Sequence, residues 1–129
     1  MSNISCIITV CDRNDYINDA ITSVINQTKK PKEIIIIDNG FKKTKILSKF
    51  NNFIKIYNIL PYAGIAQALN FGVSLSNSDY ISFLEDDDLW PEDYLENISS
   101  NLKNNDMIIS KINKLQNNVI SKYKNAKNK

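Results

Sequence analysis

Tyr80-Ile81-Ser82-Phe83-Leu84-Glu85-Asp86-Asp87-Asp88-Leu89-Trp90-Pro91 is the stretch that decides how this chain folds. An apolar run of the kind that forms a buried strand stops at four consecutive carboxylates, and Pro91 restarts the chain. Four negative charges at the mouth of one strand repel one another and raise each other's pKa unless positive charge sits among them. A hard divalent cation, Mg2+ or Mn2+, is the usual solution, because carboxylate oxygens suit it. The pattern therefore points to metal-assisted chemistry on an anionic group. The competing explanation is a solvated turn, or acids favoured by a helix N-terminus. It fits Glu92 and Asp93, just past Pro91, better than Glu85 to Asp88 at the end of a strand.

Ile4 to Val10 is a continuous, largely β-branched apolar run, the pattern of a strand covered on both faces. A polar turn follows. Tyr16, Ile17, Ala20, Ile21, Val24 and Ile25 then fall on one helical stripe, with Asn14 or Asp15 as cap and Pro31 as breaker. Glu33 to Ile37 reads as a second buried strand ended by the turn Asp38-Asn39-Gly40. Weaker signals predict a short helix around 43–50 and a third strand near 54–58. A helix over about 65–75 should pack through Ile65, Leu69, Gly72 and Val73. A fourth strand over 79–84, a helix over 92–102 and a short fifth strand over 106–110 complete the series. Strands alternating with helices imply a mainly parallel sheet with right-handed crossovers, a Rossmann-like three-layer α/β/α architecture. Loops after such strands open on one sheet edge, where ligands of open α/β sheets bind. Three polar clusters lie there: Thr9 to Asp12, Asp38–Asn39 and Glu85 to Asp88.

A chain of 129 residues that is 43% hydrophobic and 23% charged fits one soluble globular unit. Cys6 and Cys11 have an odd spacing that points them to opposite strand faces, so they cannot bridge each other. Unpaired thiols and the lack of a signal-like segment suggest a reducing, cytoplasmic setting. The chain contains no His, which removes the commonest general base and zinc ligand. No acid follows Asp106, whereas six Lys do. This is either a solvated tail or a contact for an anionic membrane surface or polyanionic acceptor, which would place the protein peripherally at the inner face of a membrane.

Other chemistries fail on the residues. A P-loop needs a Gly followed by Lys and Ser or Thr, and none of Gly40, Gly64 and Gly72 precedes Lys. A phospho-accepting receiver needs paired acids after strand one and an Asp after strand three; the chain offers Cys11-Asp12 and Asn58. No basic–aromatic stripe supports a nucleic-acid partner. Asp38 could accept from a nucleobase or ribose, or simply form its turn. The small residues Gly64, Ala66, Ala68 and Gly72 could pack against the sheet or approach a ligand. Phe83 and Trp90 read as core or pocket wall.

Taken together these segments resemble the inverting family-2 glycosyltransferases of the GT-A fold, in their N-terminal nucleotide-sugar-binding half. Residues 4–27 (ISCIITVCDRNDYINDAITSVINQ) look like the family's opening strand, P-V-Y-N turn and helix ending in S-x-x-x-Q. Residues 34–40 (IIIIDNG) look like V-V-D-D-G, residues 64–72 (GIAQALNFG) like G-x-x-x-A-x-N-x-G, and residues 80–91 like Y-I-x-F-L-D-x-D-D-x-W-x-P. The resemblance implies a domain over residues 1–111 that binds a nucleotide-diphosphate sugar, most often UDP-linked, followed by a Lys/Asn-rich tail over 112–129. It implies a nucleotide site formed by Thr9, Cys11, Asp12, Asp38, Gly64, Asn70 and Asp86, with Glu85, Asp87 and Asp88 holding Mg2+ or Mn2+ as the D-x-D element. It also implies inverting transfer to a saccharide or lipid-linked acceptor.

The sequence departs from that pattern at Thr9, Cys11, Asp12, Phe41, Leu69 and Glu85. Cys11 stands where an aromatic often stacks on the base. No residue matches the family's catalytic base, and none is assigned. Family members continue well beyond this length. The alternative is therefore a non-catalytic binding or interaction domain, or a unit completed as a homodimer or by a partner chain.

Overall fold

The computed structural model describes residues 2–116 and 119–122. Its elements run β1 (Ile4–Val10), α1 (Ile17–Ile25), β2 (Glu33–Asp38), β3 (Lys55–Asn58), α2 (Ile65–Leu75), β4 (Tyr80–Glu85), α3 (Tyr94–Asn101), β5 (Asn113–Gln116) and β6 (Val119–Lys122). The first four strands form one parallel sheet in the order β3-β2-β1-β4. β1 is central, which is why its apolar run is unbroken: Ile4, Cys6, Ile8 and Val10 pack under α1 and α3, while Ile7 faces α2. The expected three layers are therefore present. Ile17, Ala20, Ile21 and Val24 are fully buried on α1, and each large aliphatic so covered contributes about 1.5–3 kcal/mol relative to exposure.

The helix α2 meets the sheet through Ala68 and Gly72, not through Ile65 and Val73, which are exposed. A Cβ on Gly72 would come within 2.7 Å of Ile7 Cγ2. The small side thus serves close helix–sheet packing, and closeness rather than apolar bulk sets this face.

Four expectations are corrected. The segment 43–50 forms only a 3-10 turn at Ser48–Phe50. Its backbone donors are taken by distant side chains: Thr44 N–H donates to Asp38, Lys45 N–H to Asn14 and Leu47 N–H to Asn18. Such bonds compete directly with a helical ladder. The N-cap position of α1 falls on Tyr16 rather than on Asn14 or Asp15, so α1 has no side-chain cap, and Tyr16 lies outside its buried stripe at 55% exposure. The strand expected over 106–110 is missing: Met107 and Ile109 are exposed and no strand pairs with that segment among the described residues. Phe83, expected as core or wall, is half exposed, because β4 is the sheet's edge among the described residues. Within the expected tail, β5 and β6 pair antiparallel; residues 117–118 and 123–129 lie outside the described residues.

Candidate functional site at the carboxyl edge of the sheet

Strand order reverses at β1, whose neighbours β2 and β4 continue the chain on opposite sides. The register sets Val10 beside Asp38 and Thr9 beside Glu85. Loops from three strands therefore converge, and between them lies a cleft of about 370 Å3. Thr9, Val10, Cys11 and Arg13 line it from β1 and its loop, and Asn39 from the end of β2. Tyr62, Gly64 and Ile65 close it from the entry to α2, and Glu85 and Asp86 from the end of β4. Gly64 sits at φ 99, a left-handed conformation open to glycine.

The acidic run divides into two parts. Asp86 is nearly buried and receives a two-pronged bond from Arg13, Nε to Oδ2 at 2.9 Å and Nη2 to Oδ1 at 2.5 Å. The Arg13 guanidinium also lies 3.5 Å from Asp87. Part of the positive charge required by four adjacent carboxylates is thus supplied by the protein. The Arg13 pKa is raised by its bond to Asp86, as expected for a planar fork on a carboxylate. Glu85, Asp87 and Asp88 remain exposed, and one carboxylate oxygen from each lies within 4.8 Å of the others. An all-oxygen, solvent-facing, anionic trio fits Mg2+ or Mn2+ and does not fit a softer metal. The Asp88 carboxyl is pushed upward by burial first and then by Asp87 and Asp86.

A polar frame fixes this loop. Gln27 is fully buried on the turn after α1. Its Nε2 donates to Ser23 O at 3.0 Å and Pro91 O at 2.6 Å, and its Oε1 accepts from Leu95 N–H at 2.9 Å. Trp90 N–H donates to Ser23 Oγ and Thr28 N–H to Glu92 O. Ser23 and Gln27, the S-x-x-x-Q pair, therefore clamp the chain directly after the carboxylates.

The expected nucleotide-site residues do not all meet the cleft. Thr9, Cys11, Gly64 and Asp86 line it. Asp38 is buried behind it, with Oδ1 accepting from Gly40 N–H and Oδ2 from Thr44 N–H, each at 3.0 Å. It acts here as the organiser of its turn. Asn70 is exposed on α2, away from the lining. Asp12 stands behind the cleft wall at φ 53 and accepts from Lys42 N–H and the Tyr62 hydroxyl. The Cys11 thiol is raised by burial first and then by Asp12, Asp38 and Asp86, which disfavours a thiolate nucleophile. Asn39, from the expected polar cluster Asp38–Asn39, does line the cleft, whereas Arg13, Tyr62 and Ile65 were not expected as site residues. Arg13 carried one signal, as the only arginine of the chain.

The Asp12–Tyr62 bond has a pH signature. The Tyr62 hydroxyl lowers the Asp12 pKa, and Asp12 in turn raises the Tyr62 phenol above its ordinary value of 10.0. A phenol raised on folding adds stability that is full below the ordinary value and lost as pH rises through the folded one. The depressed carboxylate contributes above its ordinary 3.8 and fails only as pH falls through its folded value. The bond therefore holds from mild acid to mild alkali. Phenolate absorbance should show one of the six tyrosines ionising later than freely exposed phenols. Asp12→Gly should remove that lag, and an unchanged titration curve would refute the bond.

The family model for glycosyl transferase family 2 matches residues 5–126. The chain belongs to glycosyl transferase family 2. It is 34% identical over 110 residues to an uncharacterized glycosyltransferase of Rickettsia typhi, covering 82% of this chain and 35% of the relative. It is 31% identical over 121 residues to the poly(ribitol-phosphate) beta-N-acetylglucosaminyltransferase TarP of Staphylococcus aureus, covering 86% and 37%. The chain thus spans about a third of the length of these family members. The fold matches S. aureus TarS residues 1–349 in complex with UDP, at TM-score 0.68 and 20% identity over 75% of this chain and 31% of that one. It also matches the mannosyltransferase PcManGT of Pyrobaculum calidifontis in complex with GDP-Man and Mn2+, at TM-score 0.55 and 14% identity over 69% and 28%. Among the described residues no helix is long and apolar enough to cross a membrane.

Proposed function

We propose that this family-2 domain binds a UDP-linked sugar at the carboxyl edge of its sheet and takes part in inverting glycosyl transfer to a saccharide or lipid-linked acceptor. The observation that carries this reading is one juxtaposition: Glu85 both lines the cleft beside β1 and belongs to the exposed trio Glu85, Asp87 and Asp88. The cleft can take a nucleoside and the trio a diphosphate through Mg2+ or Mn2+. The UDP complex of TarS and the GDP-Man and Mn2+ complex of PcManGT support it as properties of structural neighbours.

In this reading Thr9 and Cys11 border the base, and Asp38 shapes the pocket through the turn it holds. Asp87 is the principal metal ligand, with Glu85 and Asp88 beside it. Arg13 locks Asp86 and so fixes the backbone from which the trio projects. When bound, the cation supplies charge neutralisation of the departing diphosphate. The acceptor hydroxyl would attack the anomeric carbon from the face opposite the diphosphate.

A ligand bound only by the folded chain raises its melting temperature; at 100 times Kd it adds about 2.7 kcal/mol. With Mn2+ present, UDP should raise the melting temperature by several degrees, more than GDP or CDP does. A panel in which no nucleoside diphosphate moves the transition would end the proposal.

A further inference from the structure

The cleft has an aromatic wall in a costly backbone conformation. Tyr62 sits at φ 55, where glycine and asparagine are at ease and a bulky side chain is an outlier. Strain of this kind persists only where surrounding contacts enforce it, and it concentrates at ligand clamps. Three contacts enforce it here. Tyr62 N–H donates to Asn39 O at 2.7 Å, its hydroxyl donates to Asp12, and its ring packs nearly perpendicular to that of Phe41 with centroids 4.8 Å apart. The ring nevertheless remains 59% exposed and lines the cleft with Thr9, Cys11 and Asn39. The ring is thus fixed through its backbone, its hydroxyl and one nearly perpendicular aromatic neighbour, and it still leaves more than half of its surface open. Asp12 itself adopts φ 53 to reach the hydroxyl, so two residues in left-handed conformations serve the placement of one ring.

We infer that Tyr62 is the platform on which the nucleobase of the donor stacks. The inference rests on the reading of the cleft as a nucleotide site and adds the residue that grips the base. Thr9, Val10, Cys11 and Arg13 bring no aromatic from β1 and its loop; the aromatic surface comes instead from the segment before α2. Stacking accepts any base, because every base has a π face. Tyr62 thus supplies affinity, and base choice falls to the polar groups around it. Because Asp12 and Phe41 order the ring before the ligand arrives, binding does not have to order it.

The test is titration of the full chain with UDP at saturating Mn2+, using Tyr62→Asn, which suits the left-handed backbone but removes the ring, and Tyr62→Phe, which keeps the ring and removes the hydroxyl. Tyr62→Asn should weaken UDP binding about 10- to 100-fold, with a melting temperature no lower than that of the parent chain. Tyr62→Phe should stay within about three-fold of the parent (about 0.6 kcal/mol). Unchanged affinity in Tyr62→Asn overturns the inference. Equal losses in both variants also overturn it, since they assign the effect to the hydroxyl bond, and so does a Tyr62→Asn chain that fails to fold. A parent chain that does not bind UDP refutes the nucleotide-site reading itself, which is a separate result from any ranking of the variants.

Discussion

Gln27→Leu is expected to lower the stability of the domain by about 2–4 kcal/mol, one of the largest effects open to a single side chain here. Leu nearly matches Gln in shape, so the change creates little cavity. It leaves the buried Leu95 N–H without its partner and takes one of two donors from Pro91 O, which keeps Tyr94 N–H. A buried donor left unpaired costs about 1–3 kcal/mol and one lost hydrogen bond about 0.5–1.5 kcal/mol, which together outweigh the gain from a more apolar side chain. For a domain of this size the loss corresponds to a fall in melting temperature of roughly 10 °C. The effect should reach the site, because the Gln27 bonds locate the chain immediately after the carboxylates. Urea denaturation of the two chains measures it. A change below about 1 kcal/mol would mean that solvent or a rearranged loop satisfies these groups.

Asp87→Ala should remove most of the metal dependence of donor binding, about 100-fold or more in affinity, since even residues one contact removed from a metal are worth 10–100-fold. The fold should be unharmed. Asp87 is more than a third exposed and its one ion pair among the described residues, to Arg13, is 3.5 Å long, so it contributes little to stability. Removing it also relieves a like charge beside Asp88. The Asp88 carboxyl, held up by burial and then by Asp87 and Asp86, should move back toward the ordinary range. If Asp88 holds the proposed cation, protons should compete with it there, so metal affinity is expected to fall as pH drops through the raised pKa of Asp88. Free Asp88 favours its protonated form on folding, so its contribution to stability is present in acid and lost as pH rises through that value. An Asp87→Ala chain that keeps its Mn2+ response would show that a different residue holds the cation.

The parts of the molecule that were legible in its sequence depend on neighbours in the chain. Ile4–Val10 and Glu33–Asp38 announce two-faced burial through unbroken β-branched runs, and α1 through its stripe. Glu85, Asp87 and Asp88 stand out because four acids ending an apolar strand need an explanation. What escaped depends on contacts distant in sequence. Arg13 and Asp86 are 73 residues apart, and no local pattern joins them. The helix expected over 43–50 fails because Asn14, Asn18 and Asp38 occupy its backbone donors. Asp38 has both oxygens in its own turn, a use its sequence context allowed but did not decide. Tyr62 carries no signal at all, since its left-handed backbone and its bond to Asp12 exist only in the folded chain.

In the proposed function the carboxylates at the end of β4 and the cleft beside β1 act together on a nucleoside diphosphate. Calorimetric titration of the full chain with UDP, once in Mn2+ and once in a chelator, tests it most directly. The expected result is one UDP per chain with affinity at least ten-fold higher in Mn2+, a coupling of about 1.4 kcal/mol or more. Equal affinity in the two buffers, or no binding in either, would contradict it.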